Sequence, residues 1–153
     1  MIILNRHTKT VIFENNAKTI KDCLLDAILA GVDLTDADLR YVDLTRANLA
    51  GTNLTGADLR DASMTDVNLR DTNLTGADLR KADLRNAVII GADLRRADLR
   101  DVRLKGAYLT GAKLTWVKLN STDLIDMYRA GADVTCAYLI DVMEVDSQKS
   151  DKY

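Results

Sequence analysis

The chain has 153 residues, about the size of one domain, and 47% of them are apolar although Phe and Trp occur once each, so a core must be built from small aliphatic side chains. Its 21 basic residues balance 23 acidic ones, which argues against bulk attraction to nucleic acid or to an anionic membrane. No stretch reaches the roughly 18 apolar residues of a membrane span, and the opening apolar triplet is too short for a signal peptide, so a cytoplasmic protein is expected.

Residues 1–31 are predicted to form a hairpin followed by a capping helix. Apolar, mostly β-branched segments on either side of a polar stretch at 5–9 are typical of two strands joined by a turn. Thr19, with Asp22 three residues on, is typical of a helix N-cap, and Gly31 suits the left-handed position after the last turn. Helical spacing places five apolar residues on one face, which would cover the end of a core. These residues are Ile20, Cys23, Leu24, Ala27 and Ile28.

From residue 32 the sequence repeats every five residues. Of the 19 positions from 34 to 124 in steps of five, 17 are Leu and the others are Met64 and Ile89. Two places before each of them stands only Ala, Val or Thr. A period of five fits neither the α-helix, with 3.6 residues per turn, nor the two-residue alternation of a strand. Each unit is therefore expected to form one side of a coil, with both apolar columns pointing inward.

A second period indicates four units per turn of the coil. The segment TNLTGADLR occurs at 52–60 and recurs unchanged at 72–80, twenty residues later. The absence of Pro agrees with backbone pairing between coils, because Pro has no amide hydrogen to donate. The polar residue before each central Leu, such as Asp38 or Asn48, is expected to bond to turns and neighbouring coils. Corner glycines such as Gly51 are expected at positive φ.

The repeated A-[DN]-L unit, seen in ADLRY at 37–41 and ADLRD at 57–61, resembles the pentapeptide-repeat family over about residues 31–142. The resemblance implies an all-β protein built as a right-handed quadrilateral β-helix. The expected organisation is an N-terminal hairpin and capping α-helix over 1–31, the β-helix over 32–142 and a polar C-terminal tail over 143–153. Arg129 occupies a Leu position, which predicts either an irregular last coil or a side chain turned outward.

No catalytic site, cofactor site or metal site is predicted, and we expect a protein that is not an enzyme. His7 is the only histidine and lies in the predicted hairpin turn, so no His-based triad or metal cluster can be assembled. Cys23 belongs to the buried helix face and Cys136 should point outward, and neither has a metal-ligand partner at the usual spacing. The carboxylates recur at repeat positions on a convex surface, whereas acid–base catalysis needs them paired in a cleft.

Two outward surfaces are candidates for binding. One is a charged ladder of Arg40, Arg60, Arg80 and Arg100. It could form an anion or nucleic-acid strip, but a flanking Asp column at 38, 58, 78 and 98 favours charge-paired solvation of a sheet, so direct nucleic-acid binding is disfavoured. The other comprises the outward aromatic and branched residues after residue 87. They are Val88, Ile90, Tyr108, Trp116, Ile125, Tyr128, Tyr138 and Ile140. This second surface predicts a protein partner or a second subunit, with a C-terminal tail that folds back over it as the alternative.

The leading function is a protein-interaction scaffold whose partner is unknown. Members of the family that bind topoisomerases resemble rods joined through their C-terminal coils, which implies a homodimer formed around Trp116, Ile125, Tyr128, Tyr138 and Ile140. They also imply an alternative function, a DNA mimic that modulates gyrase or another topoisomerase by inhibition or by quinolone protection. The net charge of only −2, the Arg ladder and the lack of loop insertions in the repeats argue against this alternative.

Overall fold

The protein begins with an antiparallel hairpin whose first strand continues along the first coil. The structure is a computed structural model that describes residues 1–120, 125 and 127–129, and the backbone of 138–139. Strand β1 (Ile2–Leu4) pairs with β2 (Val11–Glu14). Asn5 forms an antiparallel bridge to Ala37, and the Asp38 amide donates to the Leu4 carbonyl at 2.8 Å. The predicted hairpin is therefore present and joined to the second unit of the repeat.

Helix α1 (Ile20–Leu29) has the caps that the sequence predicts. The Thr19 hydroxyl accepts a hydrogen bond from the Asp22 amide at 3.0 Å. At the other end the amides of Gly31 and Val32 donate to carbonyls in the last turn, a Schellman arrangement in which Gly31 has φ +69°. No helix in the described part of the chain is long and apolar enough to cross a membrane.

One side of α1 packs into the same apolar cluster as the hairpin and the first coil. Cys23, Leu24 and Ala27 are completely buried there, beside Ile3 and Leu34. Ile20 and Ile28, which the sequence also places on this face, are partly buried. The Lys21 ammonium reaches the Thr45 carbonyl of the first coil. Burial raises the pKa of the Cys23 thiol.

After α1 the backbone winds in coils of twenty residues. Every bridge between coils is parallel and joins residue n to residue n+20, from Asp38 with Asp58 to Asp98 with Lys118. Two hydrogen bonds make each pairing: the Leu39 amide donates to the Asp58 carbonyl at 2.8 Å, and the Asp58 amide donates to the Ala37 carbonyl at 2.9 Å. One turn of the coil therefore comprises four five-residue units, and its β-pairing occurs at single residues spaced five apart.

The core consists of the two predicted columns. The large residues from Leu34 to Leu119, with Met64 and Ile89 among them, are at most 4% exposed. The small residues from Ala37 to Val117 fill the space between them, and only Val42 is not fully buried. Each buried Leu contributes about 1.5–3 kcal/mol through removal of apolar surface from water. The remaining three residues of each unit lie at or near the surface.

Each side of a coil ends in a residue with left-handed backbone. Positive φ recurs at every fifth residue from Gly31 to Trp116. Many of these positions carry Gly, Asp or Asn, which adopt this conformation most readily. Lys81, Arg96 and Trp116 adopt it as well, at φ +61°. We call these residues the corners of the coil. The fold thus imposes left-handed backbone at the corners even where the side chain disfavours that conformation.

The last described coil departs from the repeat. Strand β3 (Lys118–Leu119) pairs in parallel with β4 (Tyr138–Leu139), which keeps the twenty-residue register. Between them residues 125 and 127–129 are helical, with Met127 buried and Arg129 exposed. Arg129 therefore turns outward, one of the two arrangements expected for it. Cys136 and the tail predicted over 143–153 lie outside the described residues.

Candidate interaction surfaces

Each turn of the coil contributes four units, and we call the outward surface of one unit, together with the units that stack on it at twenty-residue steps, a face. The first face is centred on Leu39, the second on Leu44, the third on Leu49 and the fourth on Leu54, and each recurs every twenty residues. We call residues 33–80 the lower coils and residues 81–120 the upper coils. In chain order the first face lies next to the second and the fourth, and two units away from the third.

The side chain of the polar residue before each core Leu forms a hydrogen bond within its own turn. In units from all four faces its side-chain oxygen accepts the amide hydrogen of the residue two places on, as in the bonds from Thr45 to Asp43 at 2.9 Å and from Thr75 to Asn73 at 3.1 Å. On the third face the Asn68 amide also donates to Asn48 in the coil below at 2.9 Å. These carboxylates and amides are engaged as the sequence predicts, and their role is structural.

The Arg ladder lies on the first face, and each guanidinium is paired within its own unit. Arg60 binds Asp58 through two parallel hydrogen bonds, Nε to Oδ1 at 2.8 Å and Nη2 to Oδ2 at 2.7 Å. Arg40, Arg80 and Arg100 repeat this bidentate contact with the Asp two residues before them. Contacts to the Asp of the next coil are longer, at 3.6–3.8 Å. The ladder is therefore largely neutralised on the face itself.

Arg6 connects the hairpin to this ladder. Its Nη1 donates to the Gly56 carbonyl at 2.8 Å, and its Nη2 lies 3.7 Å from Asp58 and 3.8 Å from Asp78. Its side chain is 19% exposed. One residue of the N-terminal segment thus contacts carboxylates of two successive coils, a contact that the repeat pattern does not reveal.

Charge pairing lowers the pKa of several carboxylates, both in the ladder and on the two neighbouring faces. The hydrogen bonds from Arg40 lower the pKa of Asp38, and those from Arg85 and Arg95 lower the pKa of Asp83 and Asp93. Burial acts on Asp78 in the opposite sense, but the bonds from Arg80 outweigh it and the pKa is lowered. The carboxylates are held ionised for structural pairing, which is the opposite of what a general acid requires.

An apolar patch lies on the third face in the upper coils, formed by Val88, Ile90 and Tyr108. Val88 continues the column of Asn48 and Asn68, and Tyr108 stands directly above Val88. Ile90 is 37% exposed and Tyr108 is 59% exposed, while Val88 is half-buried. In the upper coils the bonded Asn column is therefore replaced by apolar side chains that face solvent.

The other apolar residues singled out from the sequence lie elsewhere. Trp116 is 65% exposed at a corner between the fourth and first faces, away from the third. Ile125 and Tyr128 are exposed in the helical residues instead of at strand positions above the patch. Tyr138 pairs with Lys118 through its backbone, and its side chain, like Ile140, lies outside the described residues. The structure brings together Val88, Ile90 and Tyr108 from this set.

A charge separation along the axis was missed in the sequence because charge was counted over the whole chain. The lower coils contain nine acidic and five basic residues, whereas the upper coils contain four acidic and nine basic residues. Counting charge separately for residues 33–80 and 81–120 would have revealed this separation.

Among the described residues no cluster of side chains could hold a metal ion, and His7 lies exposed in the hairpin turn, 3.5 Å from Asp36.

Two solved structures from the cyanobacterium Nostoc resemble the chain. A pentapeptide repeat protein is 32% identical with a TM-score of 0.62, over 83% of this chain and 100% of its own. HetL, a pentapeptide repeat protein involved in heterocyst differentiation regulation, is 34% identical with a TM-score of 0.54, over 56% of this chain and 39% of its own. This chain therefore spans well under half of HetL.

A more distant likeness is to QnrB1, a plasmid-mediated fluoroquinolone resistance protein, at 18% identity and a TM-score of 0.31, over 69% of this chain and 49% of that one. A likeness of this degree carries no argument about function. No curated protein sequence matches the chain significantly.

The family profile described as pentapeptide repeats matches residues 27–66, 62–101 and 90–125, more than half of the chain, with eight copies. Two further findings agree with this match. They are the bridges between residues twenty apart and the Nostoc structure that is covered over its whole length. The relatives imply a right-handed β-helical solenoid. The chain belongs to the pentapeptide repeat family.

Proposed function

We propose that the protein is a non-enzymatic scaffold that binds another protein through the apolar patch. The observation that carries this proposal is the replacement of the Asn column by Val88 and Tyr108 in the upper coils, beside the exposed Ile90. A polar outward position stabilises the coil through its bonds to the turn and to the coil below, so apolar residues there give up that contribution. Exposed aromatic and branched side chains at one place on a rigid face are typical of protein-binding surfaces.

Capture from a lysate of the native cell tests the patch. The bait is the full chain, compared with the double variant Val88→Asn/Tyr108→Asn, which restores the residue type of the lower coils and should keep the fold. Tyr41→Asn is the matched control, since Tyr41 is an exposed tyrosine of the lower coils. We expect the double variant to lose proteins that the wild type and the control both retain. Identical capture by all three baits contradicts the proposal.

The scaffold is further proposed to be a homodimer joined at its C-terminal end. Trp116, Ile125 and Tyr128 are large exposed apolar residues at that end, which supports an interface there. Analytical ultracentrifugation of the full chain at micromolar concentration should show a dimer, and Tyr128→Asp should shift it to monomer. A wild-type chain that sediments as a monomer contradicts this part of the proposal.

Two features of the shape belong to the same proposal. We infer that the coil is four-sided, since four units complete each turn, and that α1 closes its lower end, since its buried face shares the core with Leu34. The charge separation along the axis argues against the alternative of DNA mimicry, because a mimic of duplex DNA needs acidic surface along its whole length. A gyrase supercoiling assay with and without quinolone tests that alternative, and we expect no change at micromolar protein.

A further inference from the structure

The upper coils carry a basic surface that the neutralised ladder does not account for. It lies on the first face, between the corner column that contains Lys81 and the corner column that contains Arg96, with Lys118 at its top. We call this surface, formed by Lys81, Arg96 and Lys118 together with the paired Arg80 and Arg100, the basic face. A shallow groove runs along its Lys81 edge, lined by Arg60, Asp61, Arg80, Lys81, Arg100 and Asp101.

Three cations of the basic face have no ion-pair partner among the described residues. Lys81, Arg96 and Lys118 are all exposed, and no carboxylate lies within ion-pair distance of their charged groups. Lys118 stands where the column of Asp38, Asp58, Asp78 and Asp98 would place another carboxylate. The other basic residues of the upper coils, except Lys105, are paired with a carboxylate, so most of the charge that remains for an outside ligand is concentrated here.

The backbone at two of these residues is unfavourable for their side chains. Lys81 and Arg96 have φ +61°, in the left-handed region where Gly, Asn and Asp are preferred. Neighbouring corners carry such residues, with Asn86 and Gly91 between them. Strained residues that the fold does not need are concentrated at functional surfaces. Trp116, directly above Arg96, has the same φ, and in the lower coils Tyr41 and Arg46 also place large side chains at such corners.

We propose that the basic face binds an acidic segment of a partner protein. This inference deepens the scaffold function and names the chemistry of a second contact surface, on a different face from the apolar patch. Separate carboxylates on an extended peptide can each meet one of the unpaired cations. A nucleic acid fits less well, since its continuous row of phosphates would also meet Asp98 and Asp101, which lie among these cations. Trp116 adds an apolar contact at the edge.

The first test is binding of a fluorescein-labelled peptide in which glutamates are separated by Gly-Ser spacers, followed by fluorescence anisotropy at low ionic strength. We expect saturable binding that weakens severalfold as salt is raised. The triple variant Lys81→Gln/Arg96→Gln/Lys118→Gln should weaken binding about tenfold or more, since each lost charge contact contributes to the affinity. The matched control is Lys9→Gln/Arg46→Gln/Arg70→Gln, which removes the same charge elsewhere and includes Arg46, a corner residue at φ +59°. This control should change the dissociation constant by less than about twofold.

Carbodiimide coupling locates the peptide directly. The reagent joins a carboxylate to an adjacent lysine amine, and mass spectrometry identifies the lysine. Adducts are expected on Lys81 and Lys118, and not on Lys18, which is an exposed lysine of the N-terminal segment.

Four outcomes overturn the inference. They are absent peptide binding, equal weakening by the two triple variants, coupling spread evenly over exposed lysines, and tighter binding of a single-stranded oligonucleotide of equal charge with the same sensitivity to the variants. The double variant Val88→Asn/Tyr108→Asn separates the two proposals. This variant should bind the peptide normally. If the capture experiment fails while peptide binding is intact, only the apolar patch is rejected. If capture depends on the patch but the peptide does not bind, only the basic face is rejected.

Discussion

Thr52 and Thr72 occupy identical positions in identical segments, yet their hydroxyl groups meet different surroundings. Thr72 is buried and its hydroxyl donates to the Leu49 carbonyl at 2.9 Å. Thr52 is also buried, but its hydroxyl has no hydrogen-bond partner among the described residues. The carbonyl that would correspond to that of Leu49 belongs to Leu29, which lies at the end of α1 instead of in a coil. A buried hydroxyl without a partner is unfavourable by about 1–3 kcal/mol.

We therefore expect opposite effects from the same substitution at these two positions. Thr52→Val removes an unpartnered hydroxyl at nearly constant volume and should raise the free energy of unfolding by about 1 kcal/mol. Thr72→Val removes a formed hydrogen bond and leaves a carbonyl short of one donor, so it should lower that free energy by about 1 kcal/mol. Urea unfolding followed by circular dichroism measures both. Equal shifts in the same direction would contradict the assigned hydrogen bonding.

At the scale of elements, Arg6 is the main polar connection between the hairpin and the ladder. Arg6→Met keeps the length of the side chain but removes the bond to the Gly56 carbonyl and the contacts to Asp58 and Asp78. Because these groups are largely shielded from solvent, we expect the free energy of unfolding to fall by about 1.5–3 kcal/mol.

Lys9→Met is the control for Arg6→Met in the same hairpin. Lys9 contacts Asp38 at 3.5 Å, but its side chain is 58% exposed, so its loss should change stability by at most about 0.5 kcal/mol. The two variants are compared by urea unfolding. Similar small effects from both would mean that the Arg6 contacts add little to the attachment of the hairpin.

For the whole molecule, the Asp–Arg pairs within the repeat units predict how stability depends on pH. The pKa values of Asp38, Asp78, Asp83 and Asp93 are lowered in the folded state, through hydrogen bonds from the arginines two residues on. An unfolded Asp titrates near a pKa of about 3.9. As pH falls through this value the unfolded chain takes up protons before the folded chain does, so the stability present above about pH 4 is lost below it.

Thermal unfolding across pH checks this expectation. The Tm should be nearly constant from neutral pH to about pH 5, and it should fall steeply below about pH 4. Asp78→Asn should have a lower Tm at neutral pH and a shallower fall in acid, because one of the protonation events is removed. A Tm that declines mainly between about pH 7 and 5 would point to groups other than these carboxylates.

Much of the fold and part of the candidate surface could be predicted from the sequence. The hairpin, the caps of α1 and both core columns follow from local patterns, since apolar spacing and cap residues act over a few positions. The outward direction of Val88, Ile90 and Tyr108 also follows, because the repeat assigns each residue a fixed direction, and the last two are exposed. Trp116 has the same kind of side chain, but its corner position separates it from that patch.

By itself the sequence determined the period of five, the twenty-residue turn and the residues that form the core, because a long repeat admits one arrangement that buries both apolar columns and pairs the backbone. Tertiary structure alone decided the contacts that differ between identical repeats: the partner of Thr72 that Thr52 lacks, the reach of Arg6 across two coils, and the absence of an ion-pair partner for Lys81, Arg96 and Lys118 among the described residues. These contacts depend on what lies above, below or across the coil, which is set by residues distant in the chain.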